Sequence, residues 1–288
     1  MSKILVTGAT GLLGCTLVPH LRSLGHEVVA CGRDHGDLRV DLRDGTQVQR
    51  AMESAAPDVV VNLAGATNVD SCEKDPQSAY ELNVLAVENL VLGLAPGKAR
   101  LVHVSTDHVY DGPGPHGEHE VTVRNQYAMS KLAGEQAALR LGDRAVVLRT
   151  NFVGRSMCVR RHSFSDWIVQ VGQERKPANL FTDVRFSPLR MATLSAMLGR
   201  AVDQAGTAGI FNLGATTALS KAHFARSLLL AAGLPQDHLR DARLQDMSLG
   251  APRPRGMAMD SRRFELAFGV KLPRLEEEVT ALAQEYLA

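Results

Sequence analysis

The chain begins with the stretch Lys3-Ile4-Leu5-Val6-Thr7-Gly8-Ala9-Thr10-Gly11-Leu12-Leu13-Gly14, which predicts a β-strand, a tight glycine turn and the start of a helix over residues 15–24. Glycines at this spacing allow the turn, let the backbone approach a pyrophosphate and let the helix pack on the strand. Free N–H groups at the helix N-terminus favour bound phosphate. A purely structural connection is the alternative, but its place in the first strand–helix unit favours a dinucleotide. The predicted contacts are Gly8, Thr10, Gly11, Leu12, Leu13 and Gly14.

A second predicted strand, residues 27–31, leads into Gly32 and Arg33. Proteins selective for NAD usually carry an acidic residue at this place, which binds the ribose 2′-hydroxyl. Arg33 could pair with a 2′-phosphate instead, so the sequence predicts a preference for NADP(H). Asp34 could still reach a ribose, which keeps NAD(H) as an option, and a solvated loop charge is the alternative for Arg33.

Apolar runs of strand length alternate with helical patterns through the first half of the chain. Strands are predicted at 39–42, 58–65, 100–106 and 145–149, and helices at 77–94 and 127–141. Continuous apolar runs are typical of strands that helices cover on both faces. The prediction is an α/β fold with a Rossmann-type doubly wound parallel sheet. Residues 1–150 form its dinucleotide-binding domain, and residues 151–288 mainly form a smaller C-terminal α/β substrate lobe with an interleaved boundary.

Tyr127 and Lys131 lie one helical turn apart, so their side chains project from the same face of the predicted helix. A nearby ammonium would lower the pKa of the phenol and make it a better acid toward a carbonyl oxygen that receives a hydride. Lys131 could also bind the nicotinamide ribose, and Thr106 could hold the carbonyl oxygen. A Tyr-x-x-x-Lys pair alone is a weak signal, but strand, hydroxyl, loop and helix in this order favour a reductase.

The chain resembles the extended short-chain dehydrogenase/reductases and, within them, the dTDP-4-dehydrorhamnose reductase family. The resemblance covers nearly the whole chain, and the blocks at 61–73 and 105–112 look specific to this family. The other blocks that carry it are residues 8–14, 127–135, 148–154, 252–254 and 260–264.

This resemblance implies a catalytic set of Thr106, Tyr127 and Lys131. The implied cofactor contacts are Gly11, Leu12 and Leu13 at the phosphates, Asp41 and Leu42 at the adenine, and Ala64, Gly65 and Ala66 near the nicotinamide, with Tyr127 and Lys131. The implied substrate contacts are Thr106, Asp107, Phe152, Arg185 and Arg253.

Several positions depart from the family pattern and leave the sugar open. Phe152 stands where a tryptophan is usual, so stacking can persist while an indole hydrogen bond is lost. The segment 183–189 keeps the family's Asp and Pro but not its Gln, Gly and Thr. His108 replaces a usual tyrosine and either touches the substrate or has no role. Asn83 is either an active-site amide or a helix-surface amide.

The activity that the resemblance implies is NAD(P)H-dependent reduction of the 4-keto group of a nucleotide-linked 4-keto-6-deoxysugar. A non-catalytic NADP-binding regulatory subunit is one alternative, although an intact Tyr127 and Lys131 weigh against it. A sugar-nucleotide epimerase is another. A dehydratase is disfavoured because it would usually carry an acid–base pair, often Asp-Glu, after the active-site hydroxyl, whereas Asp107 precedes His108.

Composition excludes several other classes of function. A formal net charge of +1 gives no electrostatic reason for binding nucleic acid or an acidic membrane surface. Four scattered cysteines without C-x-x-C spacing argue against zinc and disulfides, and we expect each to be buried.

Thr16 stands near where some relatives place a metal-binding glutamate, so we predict no structural metal. We expect a cytoplasmic protein, because strand one begins at once and no apolar run reaches membrane length. Proteins of the family that the chain resembles are often dimers, so a homodimer is a further expectation.

A loop-like segment over 156–165, here called the basic loop, lies beside the expected substrate cleft and carries Arg160, Arg161 and His162, with Arg155 directly before it. Basic side chains there could bind a nucleotide diphosphate. An ordinary solvated loop is the alternative.

Overall fold

The structure is a computed structural model that describes residues 1–159 and 161–287. Its strands in chain order are β1 Lys3–Thr7, β2 Glu27–Gly32, β3 Leu38–Arg39, β4 Val59–Asn62, β5 Arg100–Thr106, β6 Ala145–Thr150, β7 Phe152–Val153, β8 Ala178–Phe181, β9 Arg185–Phe186, β10 Leu189–Arg190, β11 Gly209–Leu213, β12 Leu219–Ser220, β13 Leu239–Ala242 and β14 Gly256–Met257. Its α-helices are α1 Gly14–Ser23, α2 Gly45–Ala55, α3 Val69–Lys74, α4 Pro76–Tyr80, α5 Ala86–Leu94, α6 Gln126–Leu139, α7 Phe164–Glu174, α8 Met191–Asp203, α9 Lys221–Ala231, α10 Arg262–Phe268 and α11 Leu275–Leu287.

Seven strands of the described residues form one sheet in the order β3-β2-β1-β4-β5-β6-β11. All neighbouring strands in it run parallel. The chain reverses its direction of growth between β1 and β4, and this reversal opens a crevice at the carboxyl ends of the two strands. This is the doubly wound Rossmann arrangement, so the predicted fold class is confirmed.

The sheet is buried on both faces, as its apolar strands predict. Leu5 belongs to the core that the sheet forms with α2, α5 and α6. Its neighbours Ile4 and Val6 point to the opposite face, into the core formed with α1 and α8. Because side chains alternate along a strand, each apolar residue of β1 has a helix layer to pack against.

The chain after residue 150 contributes to two regions. Strand β11 pairs with β6 at the edge of the main sheet, and α8 packs against α1. The remaining strands build small sheets, in which β8 pairs with β13 and β9 lies between β12 and β14. Helix α9 packs on both α7 and α11 to complete this smaller lobe. The chain leaves the carboxyl end of β6 and continues directly into β7. The smaller lobe therefore lies at the carboxyl ends of the main-sheet strands.

Two elements differ from their sequence pattern. The third strand ends at Arg39, because Asp41 turns the chain by accepting the Arg43 N–H at 3.0 Å. The helical segment predicted over 77–94 contains a π-helical turn at Glu81–Leu85. This widened turn carries Asn83, whose carbonyl is so close to Gly134 of α6 that a Cβ on Gly134 would overlap it. Within the described ranges, no helix is long and apolar enough to span a bilayer.

Candidate functional site

The end of β5 and the first turns of α6 bring the three predicted catalytic side chains to one cavity of about 520 Å³, here called the central cavity. Thr106 is the last residue of β5, Tyr127 is the second residue of α6, and Lys131 follows one turn later. Asn125 caps α6 by accepting a hydrogen bond from the Ala128 N–H at 2.9 Å. This cap fixes where the helix begins and therefore where Tyr127 lies.

Burial controls the protonation of Tyr127 and Lys131. It raises the pKa of Tyr127, and a hydrogen bond with Thr106 opposes this shift only in part. Burial also lowers the pKa of Lys131 to about 8, although Glu135 favours the charged form. The Lys131 ammonium donates to the Val104 carbonyl at 2.8 Å. The net pKa of Tyr127 is therefore raised rather than lowered as predicted, because desolvation of the phenol outweighs the stabilisation that a nearby ammonium gives to the phenolate.

Asp107 and His108 follow Thr106 in a short 3₁₀ turn and line the same cavity. The buried Asp107 carboxylate accepts a hydrogen bond from Asn151 Nδ2 at 2.7 Å, and burial raises its pKa to about 6. The His108 ring packs edge-on against Tyr127, with 5.4 Å between ring centroids. Burial lowers the pKa of His108 to about 3, so the imidazole is neutral, and its Nδ1 is buried with no hydrogen-bond partner among the described residues.

The glycine turn presents an anion-binding helix end. Gly8 adopts a φ of +67°, and a Cβ there would lie 2.8 Å from the Ala64 nitrogen, so a side chain would be strained and crowded. A Cβ on Gly14 would overlap the Ala9 carbonyl. Helix α1 has no side-chain cap at its N-terminus. The Cys15 and Thr16 N–H groups donate to the Gly11 and Leu13 carbonyls, but within the described residues the N–H groups of Leu12, Leu13 and Gly14 donate to no backbone carbonyl and are available to a phosphate. The residues present therefore fit the dinucleotide that the turn predicts.

A cavity of about 300 Å³ beside this turn, here called the turn cavity, collects most of the predicted cofactor residues. Gly8, Gly11 and Gly65 line both the turn cavity and the central cavity; Thr10, Arg33, Asp41, Leu42 and Ala64 line the turn cavity; Leu12, Leu13, Gly14, Tyr127 and Lys131 line the central cavity. The two cavities therefore form one cleft that leads from the helix end to the catalytic set.

Ala66 lines neither the turn cavity nor the central cavity, and its backbone is bound by Asn83. The Ala66 N–H donates to Asn83 Oδ1 at 2.8 Å, and Asn83 Nδ2 donates to the Ala66 carbonyl at 3.1 Å. Asn83 Nδ2 also donates to Ser130 Oγ at 2.9 Å. Asn83 is buried, so its interpretation as a helix-surface amide is wrong. It ties the loop after β4 to the helix that carries Lys131.

The end of the turn cavity at Arg33 carries both basic and acidic side chains. Arg33 is exposed and lies 3.5 Å from Asp34, and Arg161 lines both the turn cavity and the central cavity. Asp41 pairs with Arg43 at 2.6 Å, and this hydrogen bond lowers the pKa of the carboxyl. Arg43 therefore offsets the charge of Asp41, and Asp34 offsets that of Arg33.

A further cavity of about 400 Å³, here called the aromatic cavity, adjoins the central cavity at His108 and Val69, which line both. Arg253 lines it and donates to the Asp70 carboxylate at 2.8 Å. The other lining residues are Phe164, Trp167, Asn179, Leu180, Phe181, Val184, Lys221, Leu244, Leu249, Pro254 and Met257.

The predicted substrate residues are divided among three places. Thr106, Asp107 and Phe152 line the central cavity, and Arg253 lines the aromatic cavity. Arg185 lies exposed on β9 and donates to the Ala218 carbonyl at 2.8 Å, so the structure does not bring it to the site. Sequence reasoning missed Asn151, which holds Asp107, although its position directly after the Arg149-Thr150 pair was a usable signal. It also missed Lys221 and Trp167, which no local motif marks.

The basic loop lies over the glycine turn. Arg161 and His162 line the central cavity, whereas Arg155 donates to the Glu285 carbonyl at 2.8 Å, and Arg160 lies outside the described residues. Cys158 Sγ donates to the Thr10 carbonyl at 3.5 Å. Of the four cysteines, Cys31 and Cys72 are buried, whereas Cys15 and Cys158 are half-buried. The prediction that all four are buried is wrong for these two.

A buried ion pair joins β6 to α6, the helix that carries Tyr127 and Lys131. The Glu135 carboxylate, on α6, pairs with the Arg149 guanidinium of β6 at 2.7 Å, and both side chains are almost fully buried. Ser105 donates to the same carboxylate, and Arg149 donates to the Tyr110 hydroxyl at 2.8 Å. This network joins β5, β6 and α6 at the level of Lys131.

A Rossmann sheet, a glycine turn at the first helix, and Thr106, Tyr127 and Lys131 converging beyond β5 define an extended short-chain dehydrogenase/reductase. Within this class, the chain belongs to the family described as the RmlD substrate binding domain, whose model matches residues 2–288.

Relatives of this chain include both reductases and a regulatory subunit. It is 32% identical to a dTDP-4-dehydrorhamnose reductase of Streptomyces griseus over 91% of this chain and 87% of the relative. It is 29% identical to the methionine adenosyltransferase 2 subunit beta of Xenopus laevis over 94% of this chain and 84% of the relative. Its fold is similar to that of the Bacillus anthracis dTDP-4-dehydrorhamnose reductase in complex with NADP, with a TM-score of 0.90, 24% identity and 99% of both chains covered.

Proposed function

We propose that the protein reduces the 4-keto group of a nucleotide-linked 4-keto-6-deoxysugar with NAD(P)H. The observation that carries the proposal is the position of the central cavity. It is lined by Thr106, Tyr127 and Lys131, and it adjoins both the turn cavity and the aromatic cavity through shared lining residues. A cofactor and a nucleotide-linked substrate can therefore meet at the catalytic set. The similarity to a dTDP-4-dehydrorhamnose reductase over 91% of this chain supports the same substrate class.

The side chains of the central cavity supply the acid chemistry. When bound, the nicotinamide dinucleotide supplies the hydride. Tyr127 donates its phenolic proton to the carbonyl oxygen, and the Thr106 hydroxyl holds that oxygen by a hydrogen bond. Lys131 stabilises the phenolate that remains, and it favours proton release more in its charged form. Asp107, held by Asn151, accepts a hydrogen bond from a sugar hydroxyl.

The alternatives are less well supported by the site. A regulatory subunit has no need of a catalytic phenol, yet Tyr127 lies beside Thr106 in a cavity large enough for a substrate. A 4,6-dehydratase would need an acid–base pair after Thr106, and the neutral His108 next to Asp107 does not supply a second carboxylate. An epimerase uses the same acid chemistry but transfers the hydride back to the sugar. Net oxidation of the cofactor therefore separates a reductase from an epimerase.

Net oxidation of NADPH tests the proposal directly. Purified protein is mixed with NADPH and freshly prepared dTDP-4-keto-6-deoxyhexose, and absorbance loss is followed together with product formation by mass spectrometry. We expect stoichiometric gain of two hydrogens per NADPH consumed. Substrate conversion without cofactor consumption would instead indicate an epimerase, and tight NADPH binding without any conversion would indicate the regulatory role.

The same assay measures cofactor preference, which we propose to favour NADP(H) through Arg33. Replacing Arg33 with alanine should raise the KM for NADPH about 10-fold while leaving that for NADH within about 2-fold, because only the 2′-phosphate loses a charge-assisted hydrogen bond. Arg22 is an exposed arginine that pairs with Asp37 and lines none of the three cavities, so Arg22→Ala is the matched control variant. Equal loss with both cofactors would contradict the assignment.

The pKa values of Asp107 and Lys131 predict a bell-shaped pH dependence of kcat/KM. Asp107 is ionised above its pKa of about 6, and Lys131 is charged below its pKa of about 8, so both active forms coexist between these values. We expect kcat/KM to fall on both sides of this window. Asp107→Asn should flatten the acidic limb and leave the alkaline limb in place. An unchanged acidic limb in this variant would contradict the role of Asp107.

A cytoplasmic location, a homodimer and the lack of a structural metal remain predictions from the sequence. Sedimentation velocity of the purified protein measures its oligomeric state. Elemental analysis after dialysis against a chelator measures its metal content.

A further inference from the structure

Lys221, the first residue of α9, places a positive charge in the wall of the aromatic cavity. Its ammonium lies 4.4 Å from the centroid of the Phe164 ring and 4.5 Å from that of Phe186. Within residues 1–159 and 161–287, it forms no ion pair with a carboxylate. Aromatic faces stabilise an ammonium without occupying its hydrogen-bond donors, so these donors remain available to a ligand.

The other charged groups around this cavity already have partners. Arg253 pairs with Asp70, and Asp107, the acid that favours the charged form of Lys221, is bound by Asn151. Burial lowers the pKa of Lys221, which reflects the cost of a charge with little water around it. An anionic group entering the cavity would therefore meet Lys221 as its available cation, in surroundings where a charge-assisted hydrogen bond is strong.

Lys221 also lies at the right place along a nucleotide-linked substrate. His108 and Val69 mark the junction of the central and aromatic cavities, and Lys221 lines the aromatic cavity together with His108. A sugar whose carbonyl is at Tyr127 would have its anomeric substituent at this junction. In a nucleotide-linked sugar that substituent is the diphosphate, and the nucleoside beyond it would meet the apolar side chains of Phe181 and Trp167.

We propose that Lys221 binds the diphosphate of the substrate and makes the aromatic cavity selective for nucleoside diphosphates over nucleosides. The inference rests on the proposed function for the placement of the sugar, but its binding step can be measured without turnover. His108, with its buried Nδ1 lacking a partner among the described residues, is the neutral group next to the same diphosphate.

Calorimetric titration of the NADPH-saturated protein with dTDP, UDP and thymidine tests the proposal. The variant Lys221→Met removes the charge but keeps an unbranched chain between the two rings, and Lys221→Arg restores a charge. We expect Lys221→Met to weaken the better-bound diphosphate about 10- to 100-fold, with thymidine changed less than about 2-fold and Lys221→Arg restoring most of the affinity. The exposed Lys271 supplies the control variant Lys271→Met, which should match the wild type.

Two results would overturn the proposal. One is equal weakening of diphosphate and thymidine in Lys221→Met, which would assign Lys221 to packing between the phenylalanine rings. The other is failure of the wild type to bind either diphosphate at millimolar concentration. NADPH affinity, measured by fluorescence in each variant, reports whether the fold is intact. Lys221-dependent dTDP binding without reduction of the keto sugar would leave this proposal standing and contradict the proposed function alone.

Discussion

Replacing Tyr127 with phenylalanine is expected to lower kcat about 10²- to 10⁴-fold, the range typical for loss of a positioned general acid. The variant keeps the ring that packs against His108 and loses only the hydroxyl that lies beside Thr106. Because burial raises the pKa of the phenol, Tyr127 carries its proton at neutral pH and can donate it. Removal of that proton should therefore affect the chemical step more than substrate binding.

The measurement is kcat and KM for NADPH oxidation with the keto sugar, together with the Kd for NADPH. Tyr80→Phe is the matched control, because Tyr80 is 46% exposed at the end of α4, and it should have wild-type kinetics. NADPH affinity in Tyr127→Phe should stay within about 5-fold of the wild type, since the glycine turn is untouched. Wild-type turnover in Tyr127→Phe would show that another group donates the proton.

The parts of this site that the sequence could predict are those encoded by neighbouring residues. The glycine turn and the pair Tyr127 and Lys131 each depend on one local element, so spacing alone fixes their relative positions. Thr106 followed from the same logic, because carboxyl ends of parallel strands meet at one edge of the sheet. The structure places these residues around one cleft.

The aromatic cavity could not be predicted in the same way. Trp167 is on α7, Phe181 on β8, Lys221 on α9 and Arg253 in the loop before β14, and their meeting depends on how the smaller lobe packs.

The error at Tyr127 has a related cause. Spacing predicts that an ammonium is near the phenol, but the dominant effect on its pKa is burial, which only the packed structure reveals. Arg185 shows the converse, since a family position does not ensure that a side chain faces the cleft.

The largest effect on stability is expected at the Glu135–Arg149 pair, where Glu135→Gln should lower the free energy of unfolding by about 3–5 kcal/mol. Loss of the carboxylate would leave a guanidinium buried without its counter-charge, and the almost complete burial of both side chains denies it water. The sequence contains a signal for this pair, since Arg149 is a charge in the apolar run of β6, but does not identify its partner.

Urea denaturation followed by circular dichroism measures this effect. The control is Glu88→Gln, which removes a carboxylate paired with Arg140 at 3.1 Å on the surface and should cost only about 0–1 kcal/mol. A double variant, Glu135→Leu with Arg149→Met, should cost less than the sum of the two single replacements, because it leaves no unpaired charge behind. If Glu135→Gln were no more destabilising than Glu88→Gln, water would have to reach Arg149, and the ion pair would not hold β6 against the helix that carries Tyr127 and Lys131.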